Sequence, residues 1–329
     1  MTDAYTTAAA TLAAANDILI TTHLNPDGDG IGSGLALLLA LEAMGKRVRF
    51  LCPSPVASMY GFLPGFARIT VCEDEAVAKA MGRADVAISC DAGDIQRLGA
   101  VWQVPRTMFI NLDHHATNTR FGDLNLVDEA AASSGVVVKG LLDHMGVPLT
   151  QPIAENLYTT IVFDTGRFMH SNTTAAVFRV AARLLDTGID AAAINRRLTY
   201  TRTIKDLRLQ KLAIEHLVAD EAEPRLAGIA LTQAAVTAAG GEPEDWGDLV
   251  EVPRSLRGNE IAYLVRERTG KDGAPVCKLS LRANPPFVVG TVAQHFGGGG
   301  HLQAAGATVP GTLTTVMAEL LPLLRAACA

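Results

Sequence analysis

Histidine and aspartate side chains are concentrated in one short glycine-rich segment near the N-terminus. The segment 23–33 reads HLNPDGDGIGS and contains His23, Asp27 and Asp29. The proline and glycines between them allow the chain to fold sharply, so that one imidazole and two carboxylates can converge. Mixed nitrogen and oxygen ligands suit Mn²⁺ or Mg²⁺ better than a metal that prefers sulfur. Taken alone, the segment is equally consistent with a solvated turn that caps the following helix.

Three more groups of ionisable residues follow short apolar runs that are interpreted as strands. These groups are Asp91, Asp164 and the tripeptide Asp113-His114-His115. A single aspartate at a strand end is more often a turn or cap residue than a metal ligand. Three consecutive ionisable residues rarely serve packing, because a buried charge without a partner is costly. Together the four strand ends supply about seven ligand groups, enough for two cations if one carboxylate bridges them.

The elements that must position these residues alternate between strands and helices. Apolar runs predict strands at 17–22, 47–52, 86–90 and 108–112, and helical patterns cover 31–44 and 135–145. The apolar segment 153–163 is expected to lead into a loop at Asp164. Such alternation predicts an α/β fold with a parallel sheet and helices on both faces.

The second half of the chain predicts a smaller α/β domain. A polar helical region lies near 190–218, followed by strands at 226–231, 260–265 and 276–281, a helix at 288–296, a glycine run and a final helix at 313–327. We therefore predict a catalytic domain at residues 1–188, a helical linker at 189–219 and a substrate-binding domain at 220–329.

Composition excludes several functions. A chain of 329 residues with 49% hydrophobic and 19% charged residues is typical of a soluble protein with two domains. A net charge of −6 disfavours binding to long duplex nucleic acid, which requires a basic surface. The five scattered cysteines, the absence of a basic leader and the short apolar runs indicate a cytoplasmic protein without a membrane segment.

The order of these motifs resembles the DHH phosphoesterases, and specifically the DHH/DHHA1 proteins that include the bacterial oligoribonuclease/pAp phosphatase (nanoRNase) group. The H-x-x-x-D-x-D, single-Asp, D-H-H and D-T-G elements occur in the order of that family. The run GGGGH at 297–301, followed by AAG at 304–306, is similar to the DHHA1 signature. One departure is that Ser134 is followed by Gly135 and Val137, where the family leads us to expect Thr and Glu.

The resemblance implies a role for each residue. It assigns one cation to His23 and Asp27, the other to Asp29, His114 and Asp164, and the bridging position to Asp91. It implies that His115 faces the scissile phosphate and that Asp113 orients a histidine. In the second domain it implies substrate binding by Ser280, Arg282, Gly299, Gly300 and His301. The cofactor implied is a pair of divalent cations, Mn²⁺ ahead of Mg²⁺.

The activity implied by the resemblance is the hydrolysis of short oligoribonucleotides and of 3′-phosphoadenosine 5′-phosphate (pAp). Cyclic di-AMP or its linear product pApA is an alternative substrate, and inorganic pyrophosphate, cleaved as by a family II pyrophosphatase, is a weaker one. The expected partner is therefore a short nucleotide, and a homodimer is left open.

Three further classes are less consistent with the sequence. Asp164-Thr165-Gly166 matches an aspartic protease signature, but that fold is nearly all β, whereas this chain is rich in alanine and in helical patterns. A processive single-strand exonuclease usually carries additional nucleic-acid-binding modules. A nucleotide sensor without activity is disfavoured because every ligand position is filled.

Overall fold

The computed structural model describes residues 2–242, 249–270, 272–300 and 302–328. The chain divides into two compact units, residues 1–201 and 202–329. Within the described residues, every helix is too short or too polar to cross a membrane. The predicted domain limits at 188 and 220 remain a prediction.

The described residues of the first unit form six strands and seven α-helices. The strands are β1 (Asp17–Thr21), β2 (Arg47–Cys52), β3 (Ile69–Val71), β4 (Ala84–Cys90), β5 (Arg106–Asp113) and β6 (Leu124–Val127). The helices are α1 (Thr2–Ala14), α2 (Gly28–Ala43), α3 (Glu75–Ala80), α4 (Ser134–His144), α5 (Gln151–Asp164), α6 (Ala175–Leu185) and α7 (Ala191–Thr199).

All six strands of this unit form one parallel sheet in the order β3-β2-β1-β4-β5-β6. Strand β1 pairs with β4 although β2 and β3 lie between them in the sequence. The strand order therefore reverses between β1 and β4. In open parallel sheets, ligands bind beyond the carboxyl ends of the strands at this point of reversal.

Both faces of the sheet are covered by apolar residues. Alternate residues of a strand point to opposite faces. In β1, Ile18 and Ile20 pack into a core with α1, α2, α4 and α5, whereas Leu19 packs with residues of α3 on the other face. The two cores explain why the strands are continuously apolar, and they confirm the predicted α/β fold.

The prediction for the segment before Asp164 is wrong. Residues 151–164 form α5, so Asp164 ends a helix and does not follow a strand. Thr150 precedes the helix, and Pro152 occupies its first turn, where a missing N–H is tolerated. Nine of the 14 residues are buried. Because α5 is buried on most sides, it ends in consecutive apolar residues, and this pattern is typical of a strand as well.

The polar region near 190–218 is not one continuous helix. It contains α7 and a second helix, α8 (Ile204–Glu215), and the two units divide between them. Thr203 and Asp206 form a capping box at the start of α8. The side chain of each residue accepts a hydrogen bond from the backbone N–H of the other, and this pair of bonds fixes the start of the helix.

The second unit is the predicted smaller α/β domain. Its strands are β7 (Leu217–Ala219), β8 (Leu226–Leu231), β9 (Ile261–Thr269), β10 (Pro275–Ala283), β11 (Gly299–Gly300) and β12 (Ala304–Pro310). Its other helices are α9 (Gln233–Ala238), α10 (Glu251–Arg254), α11 (Gly290–His295) and α12 (Leu313–Ala327). The sheet order is β11-β12-β10-β9-β8-β7, and only β8 and β9 pair in parallel.

Candidate active site

The segment after β1 forms both a helix cap and part of an acidic cluster. The Asp27 side chain accepts hydrogen bonds from the backbone N–H groups of Asp29 and Gly30 and so caps α2. It also lies 3.7 Å from Nε2 of His23. The two interpretations of this segment are therefore compatible, because the same oxygen, Oδ1 of Asp27, caps the helix and faces His23.

One side of the cluster is formed by His23, Asp27 and Asp91. Asp91 directly follows β4, and its Oδ2 lies 3.4 Å from Nε2 of His23. One ligand atom from each of the three residues lies within 4.8 Å of the other two. The Nδ1 atom of His23 lies 2.8 Å from the carbonyl oxygen of Leu24, so the ring is held with Nε2 towards the carboxylates.

The other side is formed by Asp29, His114 and Asp164. Nε2 of His114 lies 3.0 Å from Oδ2 of Asp164 and 3.7 Å from Oδ2 of Asp29. It also lies 3.7 Å from Oδ1 of Asp91. The two oxygens of Asp91 therefore face different histidines, and this is the geometry that a bridging carboxylate requires.

The backbone at Asp91 is unusual. Its φ is +64°, in the left-handed region that residues other than glycine rarely adopt. Strain of this kind is retained where the surrounding structure fixes it, often at functional sites. Here the strained residue is the one that joins both sides of the cluster.

Asp113 and His115 form a hydrogen-bonded pair beside the cluster. Nδ1 of His115 lies 2.8 Å from Oδ1 of Asp113, which is fully buried. This hydrogen bond raises the pKa of His115. The same carboxylate oxygen accepts the backbone N–H of His114 at 2.8 Å. Asp113 thus orients the two adjacent histidines, one through its ring and one through its backbone.

The electrostatics of the cluster favour positive charge near the carboxylates. Burial and the charges of Asp91 and Asp164 raise the pKa of Asp29. Burial opposes protonation of His114, but its hydrogen bond to Asp164 and the carboxylate charges outweigh it and raise the pKa to about 9. For His23 the neighbouring carboxylates likewise overcome burial, and the pKa is about 10. Several buried carboxylates in mutual repulsion require positive charge between them.

The N-terminus of α4 holds the cluster, and sequence reasoning missed this role. The backbone N–H groups of Ser134 and Gly135 donate to Asp29 at 2.6 and 3.1 Å. The Ser134 hydroxyl donates to Oδ1 of Asp91 at 3.0 Å. A helix N-terminus favours negative charge, so α4 stabilises both carboxylates. The available signal was the pair Ser133-Ser134 before an apolar helical run, which is typical of a helix start.

Packing explains why glycine stands at position 135, where the family pattern predicts a residue with a side chain. A Cβ atom at this position would lie 2.0 Å from Oγ1 of Thr160, a buried residue of α5. Thr160 therefore occupies the space that a side chain at 135 would need. The helix behind the site forms normally, although the sequence departs from the expected pattern there.

The loop after Asp164 is tied to the start of α4. The Asn172 side-chain amide donates to the carbonyl oxygens of Ala132 at 3.1 Å and Asp164 at 3.3 Å. Nδ1 of His170 lies 3.1 Å from the same oxygen of Asp164. These contacts fix the end of α5 relative to the residues that hold Asp29.

The predicted substrate residues of the second unit lie on β10 and β11. Ser280 and Arg282 alternate with buried Leu279 and Leu281, so both point to the open face of the sheet. They line a groove with part of the glycine run, including Gly299. Gly299 and Gly300 pair with β12 and are therefore an ordered strand rather than a linker. His301 lies outside the described residues.

A parallel α/β unit with a His/Asp cluster at its strand reversal, followed by a second α/β unit, matches the class of phosphoester hydrolase that the sequence predicted. Comparison with known families assigns the class. Residues 17–161 match the DHH family, N-terminal domain, and residues 231–329 match the DHHA1 domain. The chain belongs to the DHH family, as the sequence predicted.

Known relatives support this assignment over nearly the whole chain. The bifunctional oligoribonuclease and PAP phosphatase NrnA of Thermus thermophilus is 35% identical over 295 residues, which are 89% of this chain and 84% of that protein. An exopolyphosphatase-related protein from Bacteroides fragilis has a TM-score of 0.89 at 24% identity and covers 100% of this chain and 98% of its own. RecJ of T. thermophilus in complex with Mn²⁺ has a TM-score of 0.54 at 17% identity and covers 98% of this chain and 55% of its own. The two structures show a common fold.

Proposed function

We propose that this protein is a two-metal phosphodiesterase and phosphatase that hydrolyses short oligoribonucleotides and pAp. The observation that carries the proposal is the position of Asp91. One of its oxygens lies 3.4 Å from His23 and the other lies 3.7 Å from His114. A carboxylate shared between two His/Asp groups is what a pair of adjacent divalent cations requires.

The donor set fits two such cations. His23, Asp27 and Asp91 would hold one, and Asp29, His114 and Asp164, with the second oxygen of Asp91, would hold the other. Carboxylate oxygens with one imidazole on each side favour Mn²⁺, with Mg²⁺ as the second choice. When bound, the cations would lower the pKa of a water molecule and would supply positive charge for the oxygens of the transition state.

The protein groups contribute orientation and a proton. His115 is held by Asp113, and this hydrogen bond raises the pKa of the His115 imidazole and so favours its protonated form. We assign it to the scissile phosphate, where it stabilises negative charge or donates a proton to the leaving oxygen. Asp113 fixes the ring of His115 in this position.

Two observations support the proposed substrate class, one from the relatives and one from the second unit. A protein 35% identical over 89% of this chain is named an oligoribonuclease and PAP phosphatase. Arg282 and Ser280 lie on an open sheet face and line a groove with Gly299, and backbone N–H groups and a guanidinium suit a phosphate. We therefore propose that these residues, with His301, bind the substrate. Cyclic di-AMP or pApA is the second candidate substrate.

The test is a substrate panel of dinucleotide RNA, pAp, pApA, cyclic di-AMP and pyrophosphate, with Mn²⁺ or Mg²⁺ and with or without EDTA. We expect hydrolysis of dinucleotide RNA and pAp that EDTA abolishes. Asp91→Asn should lose nearly all activity, because asparagine tolerates the left-handed backbone but removes the shared charge. The matched control is Asp186→Asn, an exposed aspartate outside the cluster. Full activity of Asp91→Asn would refute the mechanism, and cleavage of pyrophosphate alone would refute the substrate class.

A further inference from the structure

An exposed aromatic side chain lies directly beside the acidic cluster. Phe163 is the residue before Asp164 at the end of α5, and 38% of it is exposed. A partly exposed aromatic side chain next to a charged site offers an apolar surface to a ligand that binds there. The roles proposed so far do not use this ring.

The position of the ring is set by Gly28. A Cβ atom on Gly28 would lie 2.8 Å from Cδ2 and 2.9 Å from Cγ of Phe163, so the ring rests on the backbone of this glycine. Gly28 stands between Asp27 and Asp29, which belong to opposite sides of the cluster. The absence of a side chain at 28 therefore allows an aromatic ring to lie next to both groups of ligands.

The ring is also supported from within the protein. Buried Tyr60 contacts Phe163 edge to face, with ring centroids 6.5 Å apart and an interplanar angle of 69°. Such pairs hold aromatic rings in defined orientations. Because Phe163 is fixed by Gly28 and Tyr60 while part of it stays exposed, it is a preformed apolar surface.

Two other exposed apolar side chains lie in segments that adjoin residues of the acidic cluster. Leu24, next to His23, is 37% exposed, and Met169, in the loop after Asp164, is 73% exposed. The acidic cluster thus has apolar neighbours in two of the segments that form it. A ligand that joins a phosphate to a flat apolar group matches this combination, whereas a purely inorganic phosphate does not.

We infer that Phe163 is the surface on which the nucleobase next to the scissile phosphate stacks. The inference rests on the proposed function, because it places the phosphate at the acidic cluster. Aromatic rings stack on any base, since every base has a π face. The site should therefore accept all four bases, with purines bound more tightly than pyrimidines because they offer a larger surface.

The test compares substrates with and without a base. The variants are Phe163→Ala, Phe163→Leu and Phe163→Trp in the full chain, and the substrates are pAp and the base-free 3′,5′-bisphosphate of ribose. Phe163→Leu keeps an apolar side chain over Gly28 but removes the aromatic face. The control is Phe178→Ala, an exposed phenylalanine that already stacks on Phe168.

We expect Phe163→Ala and Phe163→Leu to lower kcat/KM for pAp on the order of tenfold to hundredfold, as loss of one stacked base predicts. Both variants should hydrolyse the base-free substrate at the parent rate, and Phe163→Trp should retain activity on pAp. Equal losses on both substrates would overturn the inference, because they would show that the ring only supports the Gly28 segment. Parent-like activity of Phe163→Leu on pAp would overturn it as well.

A binding measurement separates this inference from the proposed function. Calorimetric titration of the Mn²⁺-loaded protein with adenosine 5′-monophosphate requires no turnover. We expect Phe163→Leu to bind it roughly tenfold more weakly than the parent. If the parent hydrolyses no member of the panel, the proposed function fails, but this titration still decides the role of Phe163. Equal affinity in parent and variant contradicts stacking.

Discussion

Gly135 should be intolerant of even a methyl group, because α4 and α5 approach closely at this residue. In Gly135→Ala, the new Cβ would lie 2.0 Å from Oγ1 and 2.6 Å from both Cβ and Cγ2 of Thr160. Thr160 cannot turn away freely, since its hydroxyl donates to the carbonyl oxygen of Leu157 at 2.8 Å and contacts the Ser133 hydroxyl at 3.0 Å. Overpacking of a buried site typically costs about 1–3 kcal/mol.

Two further effects determine the measured result. Alanine is a better helix former than glycine by up to about 1 kcal/mol, so we expect a net loss of roughly 1–2 kcal/mol in the free energy of unfolding. Relief of the clash requires α4 to shift, and the backbone N–H of Gly135 donates to Asp29 at 3.1 Å. Activity should therefore fall along with stability, by tenfold or more if Asp29 moves by a few tenths of an ångström.

The assay is a double-mutant cycle measured by urea denaturation and by hydrolysis of pAp. Thr160→Gly removes the three clashing atoms, so Gly135→Ala should be less harmful in its presence, with a coupling energy between about 0.5 and 3 kcal/mol. Gly82→Ala is the matched control, because a Cβ there meets no atom within 4 Å. Strictly additive effects of the two substitutions, or a Gly135→Ala protein as stable and active as the parent, would refute this explanation of the departure at 135.

Three other predictions concern the proposed metal ligands and the second unit. Ser134→Ala should weaken Mn²⁺ binding measured by calorimetry, because Asp91 loses the hydrogen bond of 3.0 Å from the Ser134 hydroxyl. Unchanged affinity would exclude a role of Ser134 in positioning Asp91. Mn²⁺ at about 100 times its dissociation constant should stabilise the protein against unfolding by about 2.7 kcal/mol. EDTA should remove this stabilisation in a thermal melt. A melting temperature that neither Mn²⁺ nor EDTA changes would argue against a cation site. A hydrogen bond from Arg325 lowers the pKa of Asp220, so its stabilising contribution is complete above about pH 3.9 and is lost as the pH falls through the lowered value. The difference in unfolding free energy between the parent and Arg325→Gln should therefore shrink between pH 7 and pH 3, and an equal difference at both pH values would contradict this assignment.

The sequence was sufficient to predict the sheet and most of the residues that the structure brings together. Strands that are buried on both faces are continuously apolar, so the polar residues that follow them stand out, as His23, Asp91 and His114 do. Asp164 was correctly predicted to join the cluster, but it was predicted to follow a strand, whereas it ends helix α5. A buried helix that ends in consecutive apolar residues has the same local pattern as a strand.

The sequence indicates where α4 begins, through Ser133 and Ser134, but not which carboxylates the start of the helix holds. Asp29 is held mainly by backbone N–H groups of Ser134 and Gly135, and a backbone donor leaves no mark in the residue types. The complementary fit of Gly135 and Thr160 joins positions distant in the chain, and only the packing of α4 against α5 reveals it. Without the structure, the glycine looked like an unexplained departure.

The pairing of β1 with β4 also determines when the proposed metal ligands can meet. A hairpin cannot bring His23 to Asp91, because the two strands are parallel and the chain must first close the long connection through β2, β3 and α3. Closure of such a connection is entropically costly and slows folding. Tight Mn²⁺ uptake during refolding should therefore accompany completion of the sheet and not the initial collapse, which makes the cation a probe of the last stage of assembly.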